Sequence, residues 1–255
     1  MSEPLKVWLD REGRLLRLRL ARPKANIVDA AMIAGLAVAF DRHRRDDGLT
    51  GALLDAEGPN FSFGASVEEH LPQNCAAMLA SLHALIVKML EWPAPILVAV
   101  QGQCLGGGLE LALAGSRIYS APDARFGQPE IKLAVFAPAA SCLLAYRVNQ
   151  QTAEDLLLSG RSLKADEAQA VGLVAEVADD PVAAALAYFD AQLADKSAAA
   201  LGFALRAARG AMLPEVKRRL AEVEKLYLEE LMKTHDANEG LAAFIEKRAP
   251  KWQNR

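Results

Sequence analysis

The segment QGQCLGGGLELALAGSRIYSAPDARFGQPE, residues Gln101 to Glu130, brings a three-glycine run to the start of an apolar helix. Glycine permits tight strand-to-helix turns, so Gly106-Gly107-Gly108 alone would mark little more than a connection. Glu110 gives the run a different meaning. Its neighbours Leu109, Leu111, Ala112, Leu113 and Ala114 describe a helix that is apolar nearly all round and therefore buried, and a carboxyl there needs a partner or a purpose. A capping or structural glutamate is the plain alternative, and the helix-start position favours the functional reading over it. Glu130 follows Phe126-Gly127-Gln128-Pro129, where a Pro-Glu pair in a loop is unremarkable by itself. Together, free backbone N–H groups at a helix N-terminus and two carboxyls are the parts needed to add or remove water beside a carbonyl.

Immediately upstream, Ile96 to Val100 is a continuous apolar strand, and before it a helix from about Asn74 to Glu91 stops at Trp92-Pro93-Ala94-Pro95. Strand, glycine turn and buried helix follow the logic of an α/β unit. Nearer the start, Leu15-Leu16-Arg17-Leu18-Arg19-Leu20 alternates apolar and basic residues, the period of a half-buried strand. Asp29 is placed to cap a helix running to Arg45, and Leu49 to Asp55 reads as a buried strand. Beyond Glu130 the pattern is mostly helical, with short strands expected near 117–120 and 174–177. From about Lys196 it is helical throughout, and Leu201, Phe203, Leu205, Val223, Leu226, Tyr227, Leu231, Leu241, Phe244 and Ile245 form apolar stripes that must be buried against something. The pattern predicts an α/β core over residues 1–195 and a helical C-terminal appendage over 196–255.

The 255 residues are 52% hydrophobic and 24% charged, with a net charge of −3, the balance of a globular chain with no general attraction for nucleic acid or an anionic membrane. The clusters Arg42-His43-Arg44-Arg45 and Lys217-Arg218-Arg219 read as solvated helix faces. The start lacks a basic stretch followed by an apolar core, and no apolar run is long enough to cross a bilayer, so a cytoplasmic protein is expected. Cys75, Cys104 and Cys142 are odd in number and set among apolar residues, as reduced core cysteines are. His43, His70, His83 and His235 lack metal-ligand spacing and read as surface or boundary residues, so no metal is expected.

Other chemistries lack their parts. A phosphate loop needs a lysine and a hydroxyl after its last glycine, whereas Leu109-Glu110 follows here and the carboxylate would repel phosphate. The glycine pattern is wrong for a dinucleotide fold, no G-x-S-x-G elbow supplies a serine nucleophile, and few aromatic residues are present to stack a sugar between two glycosidase carboxyls.

The chain resembles the enoyl-CoA hydratase/isomerase, or crotonase, superfamily over nearly its whole length. The resemblance rests on Arg22-Pro23-Lys24, Phe63-Gly64-Ala65, Gly106-Gly107-Gly108-Leu109-Glu110, Phe126-Gly127-Gln128-Pro129-Glu130, Ser159-Gly160-Arg161, Ala170-Val171-Gly172-Leu173-Val174 and Phe244-Ile245-Glu246-Lys247-Arg248. It implies a spiral of ββα turns with a C-terminal helical region that forms trimers, usually paired into hexamers. It also implies an acyl-CoA thioester as substrate, with coenzyme A as part of that substrate and no separate cofactor. The implied oxyanion hole is the N–H groups of Ala65 and Gly107, and the implied catalytic pair is Glu110 and Glu130, with the acid and base roles left open. Lys24, Ser66, Val67 and Glu68 fall where the family holds CoA, and Lys247 where it reaches the CoA of a neighbouring subunit.

Retention of both glutamates favours water addition, since many relatives with other chemistries keep one. Where hydratases of straight-chain substrates usually carry a glycine-rich turn after the second glutamate, this chain has Ala137-Pro138-Ala139-Ala140-Ser141, and Ser66 stands where an aspartate is common. These departures resemble the branch of the family that hydrates a cyclic conjugated dienoyl thioester in anaerobic benzoyl-CoA breakdown, with hydroxide at the β carbon and the proton at the far end of the diene. The alternatives are a short-chain enoyl-CoA hydratase or isomerase and, from another class, a non-catalytic RNA-binding relative, against which the acidic balance speaks.

Overall fold

The computed structural model of the chain describes residues 3–255. Nine strands, β1 to β9, run through these residues in chain order. Six of them, β1 (Leu5–Asp10), β2 (Leu15–Leu20), β3 (Gly51–Ala56), β4 (Ile96–Val100), β6 (Arg117–Ser120) and β9 (Glu176–Val177), lie side by side in that order. Only β1 and β2 pair antiparallel, as a hairpin joined by a tight turn; the others are parallel and need crossovers. The remaining three, β5 (Gln103–Leu105), β7 (Arg125–Gly127) and β8 (Ser162–Lys164), make a small second sheet around the glycine run.

Helices cover both faces of the large sheet, as parallel strands buried on both sides require. Helices α1 (Ala30–Arg42), α2 (Cys75–Leu90) and α3 (Gly107–Ala114) share one core with Leu16, Leu18, Leu20, Leu54 and Val98. On the other face α7 (Pro181–Gln192) places Ala185 and Phe189 over Leu15, Leu53, Leu97 and Tyr119. Asp29 caps α1 as expected, accepting from Met32 N at 3.0 Å, although the helix ends at Arg42 and not Arg45.

The basic residues of β2 differ in exposure: Arg19 is half-buried, but Arg17 does not face solvent. Arg17 is only 5% exposed and donates to Asp55 at 2.8 Å and Asp10 at 3.1 Å, while Arg19 grips Asp55 through two further bonds. The Trp8 ring lies 5.0 Å from the Arg17 guanidinium carbon. Buried charges persist only when paired and hydrogen-bonded, and Asp55, one strand over, supplies the pairing that lets an apparent half-buried strand be covered at every residue but Arg19.

The chain after 195 folds onto the rest. Helix α9 (Met212–Glu229) contributes Val216, Leu220 and Tyr227 to the main core, and α10 (His235–Ile245) contributes Leu241. Phe203 of α8 (Ala198–Ala208), Leu226 and Phe244 stay exposed in the single chain. The end is not helical throughout: residues 249–255 leave the helix and run back along α10, where Asp236 accepts from Gln253 N and Asn254 N, both at 2.7 Å. Helix α10 meets the 3-10 turn Pro129–Leu133 so closely that a Cβ on Gly240 would lie 2.1 Å from the Leu133 carbonyl oxygen. Gly240→Ala should therefore cost about 1–3 kcal/mol through overpacking. In a thermal melt, this should lower the midpoint by about 2–4 °C per kcal/mol.

Candidate active site

The glycine run builds a corner at which two backbones nearly touch. Gly106 adopts φ +51°, a conformation that L side chains rarely take, and a Cβ there would lie 2.5 Å from Oε1 of Glu130. A Cβ on Gly107 would sit 3.1 Å from Ala65 N, and one on Gly108 would lie 2.6 Å from the Ser62 Cβ. Each glycine is thus small for its own reason. Ser62 fixes the opposite side, accepting from Gly64 N at 3.0 Å and donating to the Asn26 carbonyl at 2.8 Å. Among the described residues neither the Ala65 N–H nor the Gly107 N–H donates to a protein acceptor. Gly107 opens α3, where unpaired N–H groups and the helix dipole both favour an anion.

Two carboxyls flank this corner. Glu110 is 3% exposed on α3 and accepts from Ala140 N at 2.9 Å. That donor belongs to the first turn of α4 (Pro138–Leu143), whose initial proline has no N–H to offer. Burial raises the Glu110 proton affinity above its ordinary value, and the Ala140 and Ala139 N–H groups offset only part of that rise. Glu130 sits at the start of the 129–133 turn, and burial, reinforced by the charge of Glu110, pushes its pKa up to about 8. With its amide nitrogen turned toward Glu130, Gln128 donates to both carboxyl oxygens at 3.1 and 3.2 Å. Burial thus raises the proton affinity of both groups, and the charge of Glu110 adds to the rise at Glu130, as expected for two like carboxyls in one cavity.

Both carboxyls open into a cavity of about 370 Å³, together with Ala65 and Gly107. Its walls are apolar: Met78, Leu79 and Leu82 from α2 on one side, Val135, Phe136 and Pro138 on the other, and Leu241 and Phe244 from α10. Tyr227 stacks edge-on against Phe136 at 5.3 Å and holds that wall. A larger groove of about 630 Å³ lies between Trp92-Pro93 and α8, but its one carboxyl, Glu91, is committed to Lys217. It lacks a pair of acid–base groups, so size is a poor guide here.

Of the residues singled out in the sequence, Ala65, Val67, Gly107, Glu110 and Glu130 come together in the cavity lining. Ser66 and Glu68 lie on the adjoining loop, bonded to each other at 3.0 Å, and Lys24 and Lys247 are exposed outside the lining. The sequence reading missed Gln128, whose only signal was its place in Phe126-Gly127-Gln128-Pro129-Glu130. It also placed His83 wrongly, whereas His70 is the boundary residue it expected. His83 is buried, 2.7 Å from Glu224, and His70 lines the cavity with Nδ1 2.7 Å from the Ser66 carbonyl. A carbonyl only accepts, so Nδ1 of His70 carries the hydrogen, and burial lowers the ring's proton affinity. No group of three or more His, Cys, Asp or Glu residues that could hold a metal ion exists among the described residues. None of the helices described is long and apolar enough to cross a membrane.

Comparison with known proteins agrees with this geometry. The family model described as enoyl-CoA hydratase/isomerase matches residues 10–255. The chain belongs to that family. A cyclohexa-1,5-dienecarbonyl-CoA hydratase of Thauera aromatica is 62% identical over 254 residues, covering 100% of this chain and 98% of the relative. A 2,3-dehydroadipyl-CoA hydratase of Escherichia coli is 31% identical, covering 97% and 98%. Among solved structures, an enoyl-CoA hydratase/isomerase from Pseudoalteromonas atlantica T6c superposes with a TM-score of 0.86 at 32% identity, covering 98% of this chain and 99% of that one. The ββα core with C-terminal helices is thus the fold of the enoyl-CoA hydratase/isomerase family.

In this family member the buried acid has a measurable signature. The Glu130 pKa of about 8 lies above its ordinary value of 4.5, so the folded state holds a proton that the unfolded chain releases. Its contribution is fully present below the ordinary value and is lost as pH rises toward 8. Glu130→Gln removes that loss. Urea melts at pH 5 and pH 8.5 should show the variant gaining on wild type with rising pH by a few kcal/mol at most, since each pH unit between the folded and unfolded pKa values is worth about 1.4 kcal/mol; a difference that stays constant with pH would contradict the raised pKa.

Proposed function

We propose that the protein adds water to cyclohexa-1,5-diene-1-carbonyl-CoA, giving 6-hydroxycyclohex-1-ene-1-carbonyl-CoA, a step of anaerobic benzoyl-CoA degradation. The observation that carries this reading is the 62% identity across the full chain to the Thauera aromatica hydratase. The site supports it chemically. The thioester oxygen accepts from the Ala65 and Gly107 N–H groups, which are unpaired and adjacent, and gains charge as water attacks. A donor of this kind contributes about 3 kcal/mol to the transition state.

Glu110, the anionic partner, removes a proton from water as hydroxide joins the β carbon, and Glu130 delivers its proton to the far end of the dienolate. One oxygen–carbon and one carbon–hydrogen bond form, and water supplies both groups in net terms. Apolar walls from Met78, Leu79 and Leu82 and from Phe136 and Pro138 suit a hydrocarbon ring. Lys24, Ser66, Val67 and Glu68 hold the CoA moiety on this reading, and Lys247 serves the CoA of a neighbouring subunit. The helical region 196–255 assembles the chain as a homotrimer or a pair of trimers; exposed Phe203, Leu226 and Phe244 supply apolar surface for such contacts. The reaction needs no metal or separate cofactor, because two carboxyls and two N–H donors cover every proton and charge it moves.

Steady-state assays should give a higher kcat/KM for the cyclic dienoyl-CoA than for crotonyl-CoA. Ready hydration of crotonyl-CoA with the cyclic diene ignored would make the protein a short-chain hydratase. Glu110→Gln and Glu130→Gln should each lose about 10²-fold or more in kcat. Near-full hydration by either variant would make that carboxyl structural.

A further inference from the structure

His70 brings to the cavity a ring nitrogen that the proposed reaction leaves unused. It ends the 3-10 turn Glu68–His70, is half-buried, and lines the cavity together with Ala65 and Val67. Its Nδ1–H is committed to the carbonyl of Ser66, at 2.7 Å, the residue directly after the oxyanion donor Ala65. Nε2, on the other side of the ring, bonds to nothing among the described residues, and unlike Nε2 of His83 it is not sealed from solvent. The ring therefore ends in one open polar atom, on a side of the cavity otherwise formed by Val67, Met78, Leu79 and Leu82.

The tautomer decides what that atom can take. With the hydrogen on Nδ1, a neutral imidazole offers a bare lone pair at Nε2 and can only accept there. Burial holds the ring's proton affinity below its ordinary value even with Glu69 next in the chain, which favours this neutral form. An acceptor needs a donor hydrogen. The diene ring carries none, and its thioester oxygen is itself an acceptor. Water brings two hydrogens: one goes to Glu110, and the other stays as the hydroxyl hydrogen on the β carbon, without a partner in the steps given above. The β carbon lies close to the thioester group held at Ala65, and the Ser66 bond fastens the imidazole to the chain one residue past that donor.

We propose that His70 is a specificity-determining residue whose Nε2 accepts the hydrogen of the hydroxyl that hydration places on the acyl group, having held the same hydrogen in the attacking water. The proposal rests on the water-adding reading of the site given above. The imidazole neither gains nor loses a proton in this role. Two accounts compete with it. One is a contact from Nε2 to an amide N–H of the CoA arm, which would serve every acyl-CoA alike. The other is a purely structural tie of the loop through Nδ1.

Calorimetric titration of the full-length protein carrying Glu110→Gln, which slows turnover, compares 6-hydroxycyclohex-1-ene-1-carbonyl-CoA with cyclohex-1-ene-1-carbonyl-CoA, the same ring without the hydroxyl. Adding His70→Leu should weaken the hydroxylated thioester about tenfold and leave the plain one nearly unchanged. His70→Asn, whose amide nitrogen can still donate to the Ser66 carbonyl while nothing replaces Nε2, should give the same selective loss with the loop kept in place. Equal loss for both thioesters assigns Nε2 to the CoA arm and overturns the proposal. So does a loss in His70→Leu that His70→Asn restores, which leaves the histidine a structural tie, and so does the absence of any loss. If the protein binds neither ring thioester but shows the hydroxyl-selective loss with 3-hydroxybutyryl-CoA against butyryl-CoA, the cyclic substrate fails and the hydroxyl contact stands.

Discussion

Burying two carboxyls in one apolar cavity sets the terms for the rest of this structure. An unpaired charge loses several kcal/mol on leaving water, and two like charges side by side lose more. The protein meets this by making the pair unequal. Glu110 receives the Ala140 N–H, which offsets part of the effect of burial, whereas Glu130 faces the charge of Glu110, and burial with that charge pushes its pKa up to about 8. The two environments differ in how far they favour the protonated form, the kind of separation that acid–base chemistry uses.

The wider fold serves that separation. Parallel strands deliver β5 to the glycine corner, and the close approaches of Gly106 to Glu130 and Gly107 to Ala65 join both carboxyls to the two free N–H groups. Helix α4 aims its first donors at Glu110. Helix α10 presses on the turn that carries Glu130 through a contact only glycine admits. Residues after 195 are therefore part of the site's frame, whatever further role they have in assembly.

Much of this was legible in the sequence where the signal is local. The apolar surroundings of Glu110 announced its burial, Asp29 its cap, and Ile96 to Val100 a central strand. The family motifs led to Ala65, Gly107, Glu110 and Glu130, which the fold brings together. What escaped depends on distant partners. Arg17 looks solvent-facing until Asp55 arrives from the next strand, and His83 looks ordinary until Glu224 closes on it across 141 positions. Strands β5, β7 and β8 are three residues each, too short for a period to show, and are held by pairing alone. The proline-opened helix after Glu130 was visible as a departure, but its role as donor to Glu110 needed the contact.

Where the proton lands is decisive, because in the proposed reaction the two carboxyls serve opposite ends of one diene. Turnover of the cyclic dienoyl-CoA in deuterated water, followed by NMR of the product, measures this directly. A single deuterium is expected on the ring carbon opposite the hydroxyl-bearing carbon. Deuterium on the carbon adjacent to the hydroxyl would contradict it.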